Sequence, residues 1–253
     1  MSDLFQQNTN LLWIIVGAAM VMFMQAGFAM LETGFVRAKN AAHTMAMNIA
    51  VFATGATAFF LVGYAFMFGG YSANIPGFDW GYDHALGGSL IGSGHWVFLW
   101  QGGWALTGGK YAMSGAVAGY FLYMLAFMDT AATIPTGSMA ERWKWKSFVL
   151  WGLFCGAIYY PLFGAWTWGG GWLSQLGNTL KLGNGYVDFA GSGVVHAVGG
   201  VAALTGAMVI GPRIGKYGKD GKARGIPGHS IAMAGAGTLI LFFGWFGFNP
   251  GST

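Results

Sequence analysis

Six apolar runs, at residues 11–31, 45–69, 113–134, 148–168, 189–211 and 231–248, dominate the 253-residue chain, each close to the length an α-helix needs to cross a bilayer. Only 8% of residues are Asp, Glu, Lys or Arg, against about 25% in a soluble globular chain, and 55% are hydrophobic. An ordinary water-soluble fold is thereby excluded. A transmembrane barrel would need strands alternating apolar with polar residues, and runs such as 14–21 and 148–154 do not alternate. The 45 glycines follow no period of three, so collagen is excluded, and they suit close helix packing in a membrane. The reading is an all-α membrane protein, a multi-span helical bundle forming one domain over residues 1–253. Residues 1–10 carry no Lys or Arg and the run that follows is too long for a signal-peptide core, so the first span is expected to be retained.

If the spans alternate, one side of the membrane holds Arg37, Lys39, Arg142, Lys144, Lys146, Arg213, Lys216, Lys219, Lys222 and Arg224, and the other holds Lys110 and Lys181. The positive-inside rule then puts the N-terminus outside a cell (inner) membrane. The net charge of +4 is explained by the inner loops and needs no nucleic-acid partner. Trp143, Trp145 and Trp151 fall at the inner boundary and Trp96, Trp100, Trp104, Trp166, Trp168 and Trp172 at the outer one, as interfacial anchors do. The segment 70–112, with Asp79, Asp83, His84 and His95, reads as a loop over the outer mouth. The lone Cys155 excludes an internal disulfide or a cysteine metal site, and no metal or cofactor is expected.

Ionisable groups at membrane depth are costly and point to function. Five qualify: Glu32, His43, Asp129, Asp188 and His196. Glu32 is expected to pair with the nearby basic residues or to sit at a solvated helix end, and His43 to be interfacial. Asp188 has the position of an N-cap for the fifth span. His196 shares a helical arc with Gly199, Ala203, Ala207 and Gly211, a small-residue series that turns it toward neighbouring helices or a lumen rather than lipid. Asp129 has no basic residue in its own span. It lies about 200° around the helix from Phe127, so it is expected at a polar, partly buried position between helices.

Several blocks together resemble the ammonium transporter (Amt/Mep/Rhesus) family: GFAMLE at 27–32, VRAKN at 36–40, AER at 140–142, WGGG at 168–171, DFAGSGVVH at 188–196, GPR at 211–213 and GWFGFN at 244–249. The resemblance implies a homotrimer whose subunits each hold a pore through about eleven helices, of which this chain would supply the N-terminal half. It implies no enzyme activity. Phe127 and Phe248 would be the stacked gate, and Phe127, Trp168 and Ser252, with Asp188 beneath, the external site for ammonium or its analogue methylammonium. His196 and Trp245 would line the pore. The sequence departs from the family pattern in ending after the sixth span, before a second pore histidine; in Asp129 beside the gate, a possible additional cation site; in Pro250 before Gly251 and Ser252; and in Pro135, expected to kink the third span. The alternative is a non-transporting ammonium sensor domain coupled to a cytoplasmic signalling or regulatory partner. Two other classes fit less well. An aquaporin-type channel would need two Asn-Pro-Ala motifs, and only Asn249, Pro250 and Gly251 come close. An intramembrane serine protease would need Ser192 and His196 to pair.

Overall fold

A computed structural model describes residues 2–70, 86–108 and 114–253. Asp79, Asp83, His84 and Lys110 lie outside the described residues. Among the described residues, six helices are long and apolar enough to span a membrane. They are α1 (Ser2–Phe35), α2 (Ala38–Phe68), α3 (Gly115–Ser138), α4 (Trp145–Trp166), α6 (Ser192–Ile210) and α7 (Ile231–Phe248), with the short α5 (Leu176–Leu180) between α4 and α6. All six expected spans are present. The first starts earlier than its apolar run because Gln6, Gln7, Asn8 and Asn10 continue the helix beyond it.

Three of these helices contain a π-helical turn: Phe59–Gly63 in α2, Cys155–Tyr159 in α4 and Ser192–Ala197 at the start of α6. The first two face each other, since a Cβ on Gly63 would collide with the Gly156 carbonyl and one on Gly156 with Gly55. Widened turns of this kind gather at functional sites.

Helices α1 and α7 pack antiparallel along their length through small residues. Gly17 meets Gly247, Gly27 meets Gly237, and Gly34 meets Ser230 and Ala234, each too close for a β-carbon. In lipid this closeness is what binds helices, because tails compete equally for apolar surface. Helix α3 is the most buried span and touches α1, α2 and α6. It runs unbroken through Pro135 to Ser138, so the expected kink does not end the helix. The carbonyl of Ala131, for which Pro135 has no N–H, faces Gly199 of α6 instead. Leu204, Met208, Val209, Leu239, Phe242 and Phe243 are exposed on α6 and α7.

The small-residue series on α6 is only partly as expected. Gly199 packs on Ile134 and Gly206 on Met139, but Gly200 faces open space and Gly211 ends the helix at φ 76°. The described part of the outer segment forms an antiparallel hairpin, β1 (Gly87–Ser93) and β2 (Trp96–Gly102), that periodicity did not reveal. It is tied to the outer end of α4: Trp166 Nε1 donates to Phe98 O at 3.0 Å and Trp100 Nε1 to Gly169 O at 2.8 Å. His95 Nδ1 lies 3.1 Å from Gln175 Oε1.

Candidate outer binding site and pore

The outer site is assembled from the ends of α3, α4, α6 and α7. Phe127 and Phe248, both fully buried, stack with ring centroids 4.0 Å apart and planes 25° from parallel. Trp168 meets Phe127 edge-on at 5.8 Å, and Tyr123, one turn above on α3, lies 4.5 Å from the same ring. Above them is a pocket of about 600 Å³ whose lining includes Phe127, Trp168, Asp188, Tyr123, Trp13 and Ser252. No residue of the described hairpin lines it. The Ser252 hydroxyl donates to Phe248 O at 2.7 Å and lies 3.0 Å from the Tyr123 hydroxyl, which also reaches the carbonyls of Gly247 and Phe248 at 3.1 Å. With its proton directed to Phe248 O, the serine oxygen retains lone pairs that can accept from a ligand. Tyr123 has no distinguishing sequence signal among the aromatic residues of α3.

Asp188 holds this end of α6 together. Its Oδ1 accepts from the backbone N–H of Gly191 (2.7 Å) and Ser192 (2.9 Å), and Oδ2 from those of Gly193 and Val194 (both 2.8 Å). This is an N-cap saturated with donors, which the positive helix terminus further favours. Its backbone carbonyl accepts Trp168 Nε1–H at 2.6 Å, so the cap also orients the indole. Gly191 sits at φ 95°, and a side chain there would strike Val195 and Trp168.

Immediately below the gate, the His196 ring lies 5.3 Å from Phe248 and 5.6 Å from Trp245. Trp245 is stacked on Phe248 at 5.8 Å. His196 Nδ1 is 3.0 Å from Gly191 O. A carbonyl only accepts, so Nδ1 carries the proton, and in the neutral imidazole Nε2 is left as an acceptor. Ser192 Oγ donates to Asp188 instead, at 3.3 Å, so Ser192 and His196 do not form the nucleophile–base pair of a protease.

Three expectations need correction. Glu32 neither pairs with basic residues nor faces solvent: it is buried, accepting from Asn48 Nδ2 at 2.8 Å and from the Thr136 hydroxyl. Asn48 and Gln25 extend this network to Thr133. The basic residue near Glu32, Arg37, is committed elsewhere, to Glu141. Asp129 is fully rather than partly buried, and its surroundings supply too few donors, since Oδ1 has no hydrogen-bond partner among the described residues. Finally, the outer segment packs beside α4 rather than over the pocket, in its described part.

At the opposite end of the bundle, Glu141 receives Arg37 Nη2 at 2.9 Å and Arg213 Nη1 at 3.3 Å, joining three loops. Burial pushes its carboxyl up, but hydrogen bonds from the side chain and backbone of Arg37 and from Asn40, with the Arg37 charge, outweigh this and hold it at about 2. Neighbouring Arg142 donates to the carbonyls of Ser138 and Gly211. Burial and the adjacent Arg213 charge lower its pKa. His43 Nε2 lies 3.3 Å from Trp143 O.

The sequence profile of the Ammonium Transporter Family matches residues 12–253. The ammonium transporter Amt2 of Archaeoglobus fulgidus is 48% identical over 96% of this chain and 47% of its own length. Ammonium transporter 1 member 3 of Solanum lycopersicum is 37% identical over 97% of this chain and 48% of its own. Among solved structures, one titled Sensor Amt Protein superposes with a TM-score of 0.81 at 36% identity, covering 100% of this chain and 56% of that one. Candida albicans Mep2 gives 0.72 at 28% identity, covering 96% and 48%. The chain spans about half the length of the curated relatives it matches. It belongs to the ammonium transporter family.

Proposed function

We propose that this chain carries the outer ammonium site and the upper pore of a membrane transporter or channel for ammonium. The observation that supports it most is the convergence of Phe127, Trp168 and Ser252 on one pocket, with Phe248 stacked on Phe127 and His196 against Phe248. An ammonium ion entering there exchanges water for the faces of Trp168 and Phe127, worth about 0.5–2 kcal/mol each, and for the lone pairs of Ser252. The closed Phe127–Phe248 stack excludes water, and a bare cation beyond it would pay a large desolvation penalty. Ammonium therefore gives up a proton near the gate to His196 Nε2, which relays it inward, and uncharged ammonia passes along Trp245. Radiolabelled methylammonium uptake into liposomes holding the full-length protein tests this. Saturable uptake, competed by ammonium and weakened in Trp168→Leu, supports it; absence of uptake sinks it.

The same reading makes the protein a homotrimer of a cell (inner) membrane, with the N-terminus outside and the basic loops inside, available to a cytoplasmic regulatory partner. A non-transporting sensor domain is the second reading. It draws on the likeness to the Sensor Amt Protein and on Asp129, whose orphaned oxygen would suit an additional cation site.

A further inference from the structure

The face of α3 that carries Phe127 continues inward through Ala131, Ile134 and Ser138, at helical spacings of four, three and four. Ile134 packs on Gly199, which lies one turn past His196 on α6. Below this contact a second pocket, of about 450 Å³, lies toward the inner loops. Its roof is Ile134, about 10 Å below Phe127 by helix rise. Phe28 and Phe35 form part of its wall, and Arg142 and Arg213 line its inner side. Glu32 is the one carboxylate bordering it.

Glu32 reaches the pocket because Gly137 has no side chain: a Cβ there would sit 3.2 Å from Glu32 Oε1. The groups holding the carboxylate are neutral, Asn48 from α2 and Thr136 from α3. Asn48 is itself fixed by Thr44 O at 3.1 Å and by Gln25. The charged groups facing the pocket are Arg142, from the loop between α3 and α4, and Arg213, from the loop between α6 and α7. A carboxylate oriented by neutral donors can take a proton without breaking an ion pair. Two fixed positive charges across the pocket oppose residence of a cation and favour return of that proton to the inner water.

We propose that Glu32 is the inner proton acceptor of the pore, a reading that rests on the transporter function above. The N–H bond of ammonium that breaks near the gate leaves its electron pair on nitrogen to give ammonia, and the proton, carried first as an N–H bond on His196 Nε2, leaves that nitrogen and passes through water to form an O–H bond on Glu32. That bond then breaks toward the inner water while ammonia leaves separately. One positive charge crosses per ammonia delivered.

The test uses the full-length protein in liposomes, recording ammonium-driven current at several internal pH values and methylammonium binding in parallel, for wild type, Glu32→Gln and Glu32→Asp. Glu32→Gln is expected to lower the current by at least about tenfold with outer-site binding retained. Glu32→Asp is expected to keep current with a displaced pH profile. Wild-type current and pH profile in Glu32→Gln overturn the proposal while leaving the transporter reading intact. If Glu32→Gln does not fold, an unchanged pH profile in Glu32→Asp overturns it equally. A wild type that binds methylammonium but passes neither current nor ammonia overturns the transporter reading and this inference with it.

Discussion

Phe127 and Phe248 are stacked at 4.0 Å although one comes from the middle of the sequence and the other from near its end, and Phe248 also touches His196. The stacked pair and His196 thus share one aromatic ring, so the proposed gate and pore histidine are coupled. Phe248→Ala should both open the gate and loosen His196, at a folding cost of about 3–5 kcal/mol for a fully buried ring. Phe127→Ala removes the gate's other half and one face of the outer pocket but leaves the contact between Phe248 and His196. Uptake measurements paired with thermal melts should therefore find ammonia conduction disturbed more by the Phe248 change than by the Phe127 change.

Trp168 contributes both a ring face and an N–H to Asp188 O. Trp168→Leu should weaken methylammonium binding by about 1 kcal/mol, roughly fivefold, through loss of one cation–π contact. Trp168→Phe keeps a ring but loses the hydrogen bond, and should fall between the two in a calorimetric titration. Equal binding in all three proteins would remove Trp168 from the site.

Asp188→Asn replaces an oxygen that accepts two backbone N–H groups with an amide nitrogen that accepts none. The expected loss is about 1–3 kcal/mol, from an uncapped terminus with unsatisfied donors. A lower melting temperature and faster hydrogen exchange at 191–195 would report it.

Glu141 is held at about 2 against an ordinary 4.5. Because its folded pKa is depressed, the stability it contributes is present above about pH 4.5 and is lost as pH falls toward 2. Arg37 and Arg213 are 36% and 27% exposed, so solvent screening limits that contribution to on the order of 2 kcal/mol. Glu141→Gln should melt below wild type at pH 7, and the two melting curves should converge between pH 4.5 and pH 2. A difference that does not change with pH would exclude the charge as its cause.

How much of this was legible in the sequence follows from range. Helix length and the cap at Asp188 are local properties, set by apolar runs and by an Asp preceding an apolar turn, and both could be read directly. The outer site needs Phe127, Trp168 and Ser252 from three distant segments, so it was accessible only through motif resemblance. Glu32 was misread because proximity in sequence suggested Arg37 as its partner. In the fold Arg37 turns to Glu141, and the partners of Glu32 are Asn48 and Thr136, neutral residues with no charge pattern to reveal them. The π turns and the outer hairpin depend on packing against α4 and left no periodic signal.

Asp129 separates transporter from sensor. It follows Phe127 by two residues, about 200° around the helix, in a fully buried position where Oδ1 has no partner among the described residues. An orphaned buried polar group of this kind costs about 1–3 kcal/mol. If Asp129 is only a packing residue, Asp129→Leu, which keeps the branched shape but is larger, removes that cost and adds an overpacking cost of similar size, about 1–3 kcal/mol: the protein should melt close to the wild-type temperature, and methylammonium uptake should be unchanged. If Asp129 instead holds a cation, wild type should gain thermal stability on adding ammonium that both Asp129→Leu and Asp129→Asn lack, because the carboxylate supplying the charge is gone. The melts should be run with and without ammonium, beside uptake. The packing outcome together with normal uptake supports transport, whereas ammonium-dependent stability lost in both variants, with no uptake in any protein, supports a sensor.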